Sequence, residues 1–414
     1  MILLMDQMIE KTILNNGLTV ISENLPTVRS ISLGVWIQIG SRYESKRTNG
    51  LTHFLEHMVF KRTKKRSALQ IARALEELGG NLNAYTSKEL TNFYTFSLDE
   101  HLPVCVDVLA DLVCNPLLLE ADVEKEKKVV LEEINAVKDT PEEYLYDIFQ
   151  EKLFPNHPLG FPILGKAESV SAFTAQQVRQ FWQTYYVPQN IIISAAGNVK
   201  HERLVRLVEK QFHFEHKGRK PQTSPPRAAR QINLEIEEPF NQAHIVAGLE
   251  GLPYTSPDRF ALHALNAYLG GGMSSRVFQT IREKYGLAYM VYSATDFFKD
   301  TGIFSFYLGT DPAKRKKALE LLFKEIKKTT EKQISLSALK RLREQLKGNL
   351  LLGLENTAHR MGRLAKNEIY FGRQIPLSES MEMINELSPK KIFEVAGKLF
   401  NLDKLNVIQM VGHA

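Results

Sequence analysis

Residues 216–230 break the chain close to its midpoint. They hold Gly218, Pro221, Pro225 and Pro226 with five Lys or Arg interspersed, a composition that keeps a backbone solvated rather than packed. On either side of this break the hydrophobic periodicities come in the same order. Before it, 30–40 alternates as a strand, and 51–60 has helical spacing. A hairpin follows at 81–88 and 91–98, then a helix at 100–114, a long helix from 122, another opened by Pro141, and an apolar strand at 190–197. After it come a strand at 243–249, a helix at 258–269, a hairpin at 289–295 and 302–309, helices at 314–330 and 335–352, and a closing strand at 405–411. At 414 residues the chain is too long for one ordinary core. It reads as α+β in two homologous halves, each an antiparallel-rich mixed sheet packed with helices. The boundaries are 1–215, a linker at 216–231, and 232–414. Ahead of the first strand, Asn16-Gly17 between β-branched runs signals a two-residue hairpin turn. Ser67 with Gln70 signals a capping box for the helix that Gly79-Gly80 ends.

The halves differ in one respect. Only the first contains His53-Phe54-Leu55-Glu56-His57. On a helix, His53 and His57 are four residues apart and leave the same face, so two imidazoles can grip one metal ion. Glu56 lies on the edge of that face, where a carboxylate reaches a water beside the metal without binding it. This is the zinc-peptidase helix in inverted order. With 11 His in the chain, chance yields about 0.02 such patterns, which favours a site over coincidence. A catalytic zinc takes three protein ligands and keeps a fourth position open, so a third ligand must come from another element. In the helix from Asp122, Glu126 and Glu133 are two turns apart and share a face, whereas Glu132 points elsewhere.

With these residues the chain resembles the pitrilysin/insulinase family of zinc peptidases, and within it the bacterial and mitochondrial processing-peptidase-like members. The likeness covers nearly the whole chain. In that family the third ligand is a Glu 76 residues after the second His, which selects Glu133 (133 − 57 = 76). A supporting Glu two turns earlier matches Glu126. The resemblance implies one Zn²⁺ per chain on His53, His57 and Glu133, with Glu56 as general base. It implies two halves closing as a clamshell around a chamber. Asn83 and Ala84 match the substrate-binding edge strand. Arg282 and Tyr289, seven residues apart, match the pair that the second half contributes to substrate binding and catalysis. The substrate would be a peptide or unfolded polypeptide, and the assembly a homodimer or a dimer with a paralogue. The same likeness carries an alternative, a non-catalytic partner subunit, although such relatives lack part of the ligand set. One departure stands out: Lys61-Arg62-Thr63 replaces the family's Lys-Gly-Thr, which implies a rebuilt turn.

Composition narrows the rest. No apolar run is long enough to span a bilayer. The opening burst at 1–5 lacks a basic flank and a cleavage site, so it does not read as a signal peptide; the expected setting is the bacterial cytoplasm. Cys105 and Cys114 fall nine residues apart on one helix, about 13 Å along its axis and beyond disulfide reach. The net charge of +6 raises nucleic acid as a partner, but the densest basic run, 61–66, lacks the aromatics and the module that such binding uses. The triple glycine at 270–272 is not followed by Lys-Ser/Thr, which excludes a phosphate-binding loop.

Overall fold

The computed structural model describes residues 9–412; the apolar opening at 1–5 lies outside the described residues. Eleven strands are described: β1 (Ile9–Ile13), β2 (Thr19–Asn24), β3 (Ser30–Ile37), β4 (Asn81–Thr86), β5 (Thr91–Leu98), β6 (Ile191–Gly197), β7 (Asn233–Glu237), β8 (Ala243–Glu250), β9 (Ala288–Phe297), β10 (Gly302–Thr310) and β11 (Asn406–Val411). They form two sheets, in the orders β1-β2-β6-β3-β5-β4 and β7-β11-β8-β10-β9. Leaving out β1, the two orders superimpose strand for strand. In each sheet one parallel pair (β2 with β6, β7 with β11) is followed by antiparallel pairs to the far edge. The duplicated order of periodicities is therefore a duplicated topology, α+β in both halves.

Each sheet has helices on one face and a single helix on the other, and that single helix comes from the opposite half of the chain. The first sheet's core packs Leu33, Val35 and Phe93 against Phe54, Leu55, Val106, Leu109 and Val130. Its other face, carrying Ile21, Trp36 and Ile192, is covered by Met361, Leu364 and Ala365 of the helix Thr357–Phe371. The second sheet's other face, with Val246, Tyr307 and Ile408, takes Leu145, Phe149 and Leu153 of the helix Pro141–Leu153. The compact units accordingly interleave in sequence: 1–135, 161–224 and 352–378 form one, and 136–160, 225–351 and 379–414 the other. Equivalent helices have changed places, because each leaves its own half just after a long helix and finds an apolar sheet face to cover.

The incoming helix of the first unit is also held by polar groups. Arg360 pairs with Glu23, both nearly excluded from solvent. The Thr357 and Ser32 hydroxyls lie 2.8 Å apart, and Tyr370 donates to Glu89 at 2.9 Å. One local reading is corrected. The hairpin at Asn16-Gly17 has a three-residue loop rather than a two-residue turn: Leu14 N–H meets the Leu18 carbonyl at 2.9 Å, and only Gly17, at φ +90°, enters the left-handed region. Between the triple glycine and β9, residues Phe278–Lys284 form a π-helix. At Lys61-Arg62-Thr63 no residue has a positive φ.

Truncating one partner of a buried ion pair leaves the other charge uncompensated. Arg360→Ala is expected to destabilise the first unit by about 3–5 kcal/mol, measured by denaturant unfolding. A loss below about 1 kcal/mol would mean that the incoming helix is held by its apolar face alone.

Candidate metal centre

The helix Leu51–Val59 divides its residues cleanly. Leu51, Phe54, Leu55, Met58 and Val59 form one stripe and are all buried, each contributing about 2 kcal/mol by leaving water. His53, Glu56 and His57 form the opposite stripe. Burial of the first stripe against the sheet thus fixes the direction of the second. The helix Glu120–Lys138 is anchored in the same way by Val123, Val130 and Ile134, which presents Glu126 and Glu133 on one side and leaves Glu132 exposed.

The two helices bring His53, His57 and Glu133 together, with one ligand-type atom of each within 4.8 Å of the others. Glu133 Oε2 lies 3.6 Å from His57 Nε2 and 3.9 Å from His53 Nε2. A tetrahedral zinc with bonds of about 2.0–2.2 Å separates its ligands by about 3.3–3.5 Å, so the spacing fits with little adjustment. Glu133 Oε2 is shielded from solvent and has no hydrogen-bond partner. A buried carboxylate oxygen left bare is costly, and a cation among these three atoms would resolve it. Two imidazoles and a carboxylate are the donor set of a catalytic zinc.

The surroundings set the protonation states. Burial, with the neighbouring His57 ring, pushes His53 down to about 3, which keeps it neutral as a ligand must be. His57 Nδ1 lies 2.8 Å from Glu126 Oε1. Burial alone would lower His57, but this bond and the nearby carboxylates outweigh it and raise the ring. The proton belongs on Nδ1, and the Nε2 lone pair then faces Glu133. Glu126 is buried as well, and burial would raise it. Hydrogen bonds from His57 and from Lys61 Nζ prevail and hold it below the usual carboxylate range. Burial raises Glu56, while the Thr86 hydroxyl, donating to Glu56 Oε2, pulls it back.

Thr86 ends β4, the edge strand on which Asn83 and Ala84 sit. Sequence reasoning missed Thr86 and Lys61. Both act across the fold on a carboxylate, and no local spacing signals that. Arg282 and Tyr289 lie in the second unit. The Arg282 guanidinium sits 5.4 Å from the centre of the Tyr289 ring and 4.9 Å from that of Phe278. Tyr289 is 72% exposed and so is not a core residue.

A fold of two matching α+β sheets with an inverted His-x-x-Glu-His helix in the first defines a class of metallopeptidase-like proteins. The family model described as Insulinase (Peptidase family M16) matches residues 19–167, and that described as Peptidase M16 inactive domain matches 172–346. An uncharacterized zinc protease of Streptomyces coelicolor is 39% identical, over 94% of this chain and 86% of its own length. Another, of Bacillus subtilis, is 38% identical over 96% and 97% respectively. The crystal structure of a protease from Helicobacter pylori shares the fold at TM-score 0.90 and 24% identity, covering 97% of this chain and 99% of its own. The chain belongs to the insulinase family, peptidase family M16.

If Glu133 is a ligand, Glu133→Ala removes most of the metal from the purified protein, and Glu132→Ala, changing an exposed residue, removes none. Elemental analysis of the two variants checks this; equal metal content would take Glu133 out of the site.

Proposed function

We propose that this chain is a zinc-dependent endopeptidase that hydrolyses peptides or unfolded protein segments. The observation that carries the reading is the bare, buried Glu133 Oε2 facing two imidazole nitrogens, with a second carboxylate, Glu56, on the same helix face and outside the ligand set. When bound, zinc supplies a Lewis acid and makes water acidic enough to ionise near neutral pH.

The remaining work falls to side chains. Glu56 accepts a proton from the attacking water at its carboxylate and passes it to the departing nitrogen. Thr86 occupies Oε2, which leaves Oε1 for that transfer. A carboxyl raised by burial is better matched to such a role than a solvated one, because the optimum lies near the working pH. Glu126 orients His57 from behind and fixes its tautomer. The substrate adds as a strand to the open edge of β4, where Asn83 and Ala84 lie. Arg282 and Tyr289 hold the substrate carbonyl and stabilise its developing negative charge; the exposed Tyr289 ring supports this over a packing role. The bacterial relatives support a bacterial source, and among the described residues no helix is long and apolar enough to cross a membrane. Against the non-catalytic reading, the first unit brings together three side chains that could hold a metal ion.

Two variants test the chemistry. Glu56→Gln is expected to retain metal and lose hydrolysis of a peptide; cleavage at the normal rate would refute the base. Thr86→Val removes the donor that stabilises the Glu56 carboxylate, so the Glu56 pKa rises. The acid limb of the kcat/KM profile should then move to higher pH, because a higher pH is needed to ionise the base. A limb that stays in place, or moves to lower pH, would separate Thr86 from the base.

A further inference from the structure

The helix that carries His53 and His57 begins without a capping side chain of its own. Its N-cap is Gly50, at φ +93°. A Cβ there would lie 2.6 Å from the Leu164 carbonyl oxygen and 2.8 Å from Gly165 Cα, so Ser, Thr, Asp or Asn does not fit. The first N–H groups of the helix are buried with it and still need acceptors. They find one in Glu44, six residues upstream. Glu44 Oε1 accepts from Thr52 N–H at 2.7 Å, and Oε2 accepts from Gly50 N–H at 2.8 Å and from Asn49 Nδ2 at 3.2 Å. The carboxyl is 5% exposed and has no ion-pair partner among the described residues. A buried carboxylate without a cation is expensive, and it lies where helix-terminal N–H groups favour an anion. Asn49 extends the brace: its Nδ2 also reaches the Pro162 carbonyl at 2.9 Å, and its own carbonyl accepts from Ser169 Oγ at 2.7 Å.

We infer that Glu44 is a positioning residue for the metal centre, setting the first turn of the ligand-bearing helix and through it the place of His53. This rests on the zinc-site reading above. His53 follows Thr52 directly, and Thr52 N–H is the group that Oε1 holds. A site needs its ligands fixed to within about 0.5 Å, and the short helix Leu51–Val59 cannot hold its own first turn by propensity alone. Both carboxylate oxygens are used. An amide of the same shape would turn its NH₂ group either toward Gly50 N–H and Asn49 Nδ2, leaving two donors without their acceptor, or toward Thr52 N–H, leaving one. The role therefore asks for a carboxylate, not just for bulk.

The test compares Glu44→Gln with Ser67→Ala. Ser67 caps the next helix, Ala68–Glu76, and its side chain hydrogen-bonds to Gln70 of that helix, so it reports plain loss of stability. Zinc affinity is measured by competition with a chromophoric chelator, and Co²⁺ is loaded in place of zinc to read ligand geometry from its visible absorption. Wild type should bind one zinc. Glu44→Gln should bind about 10- to 100-fold more weakly, with an altered Co²⁺ spectrum and kcat reduced more than KM is raised. Ser67→Ala should lower the melting temperature and leave affinity and spectrum unchanged. Should Glu44→Gln not fold, Asn49→Ala, which removes one donor from the brace, is expected to weaken zinc binding in the same direction by a smaller factor. If a folded Glu44→Gln, or Asn49→Ala in its place, keeps wild-type affinity and spectrum, Glu44 serves the fold only and the inference falls. If wild type itself takes up no zinc, the site reading fails first and the inference with it.

Discussion

The hydrogen bond between His57 and Glu126 ties together the two helices that hold every candidate ligand. It spans 69 residues of sequence at 2.8 Å, and its acceptor is buried. It fixes which His57 nitrogen keeps a lone pair, and it sets the register between the helices that places Glu133 opposite His53. Lys61 balances the charge on Glu126 from its other side. Without that bond, the apolar stripes would still pack, but the two helices would be placed against each other less precisely than a metal site needs. Packing sets the approximate geometry, and the buried polar contacts refine it.

The same division of labour runs through the fold. The apolar faces of both sheets would be covered by any helix of suitable stripe. Each is covered by a helix from the opposite half, and in the first unit buried polar pairs such as Arg360 with Glu23 select that helix. The duplication that produced two matching sheets has thus diverged in detail. One unit carries the candidate ligands, and the other carries an exposed Arg282–Tyr289 pair, with Arg282 on a π-helix.

Much of this was legible in the sequence because it is local and periodic. The i, i+4 histidines, the two-turn spacing of Glu126 and Glu133, and the alternation in β3 and β5 each follow from one element's geometry. The interior linker and the repeated order gave the duplication. What could not be read is non-local. That Pro141–Leu153 and Thr357–Phe371 change places depends on which apolar face each helix meets. That Thr86 holds Glu56, and that Glu44 caps a helix six residues on, depends on contacts no spacing rule encodes. Gly50 was a partial clue: a glycine at a helix start, where a polar cap is favoured, signals that the cap must come from elsewhere. The hairpin loop at Asn16-Gly17 was misjudged by one residue because the dipeptide fits a two-residue and a three-residue loop alike.

The central claim is that two imidazoles and one carboxylate of the first unit hold a zinc ion with a position left open. X-ray absorption at the zinc edge of the zinc-loaded protein tests it most directly. The account predicts one zinc per chain, with only nitrogen and oxygen neighbours at about 2.0–2.2 Å and two imidazole signatures in the outer scattering. Sulfur from Cys105 or Cys114 in the shell, fewer than two imidazoles, or no stoichiometric zinc would contradict it.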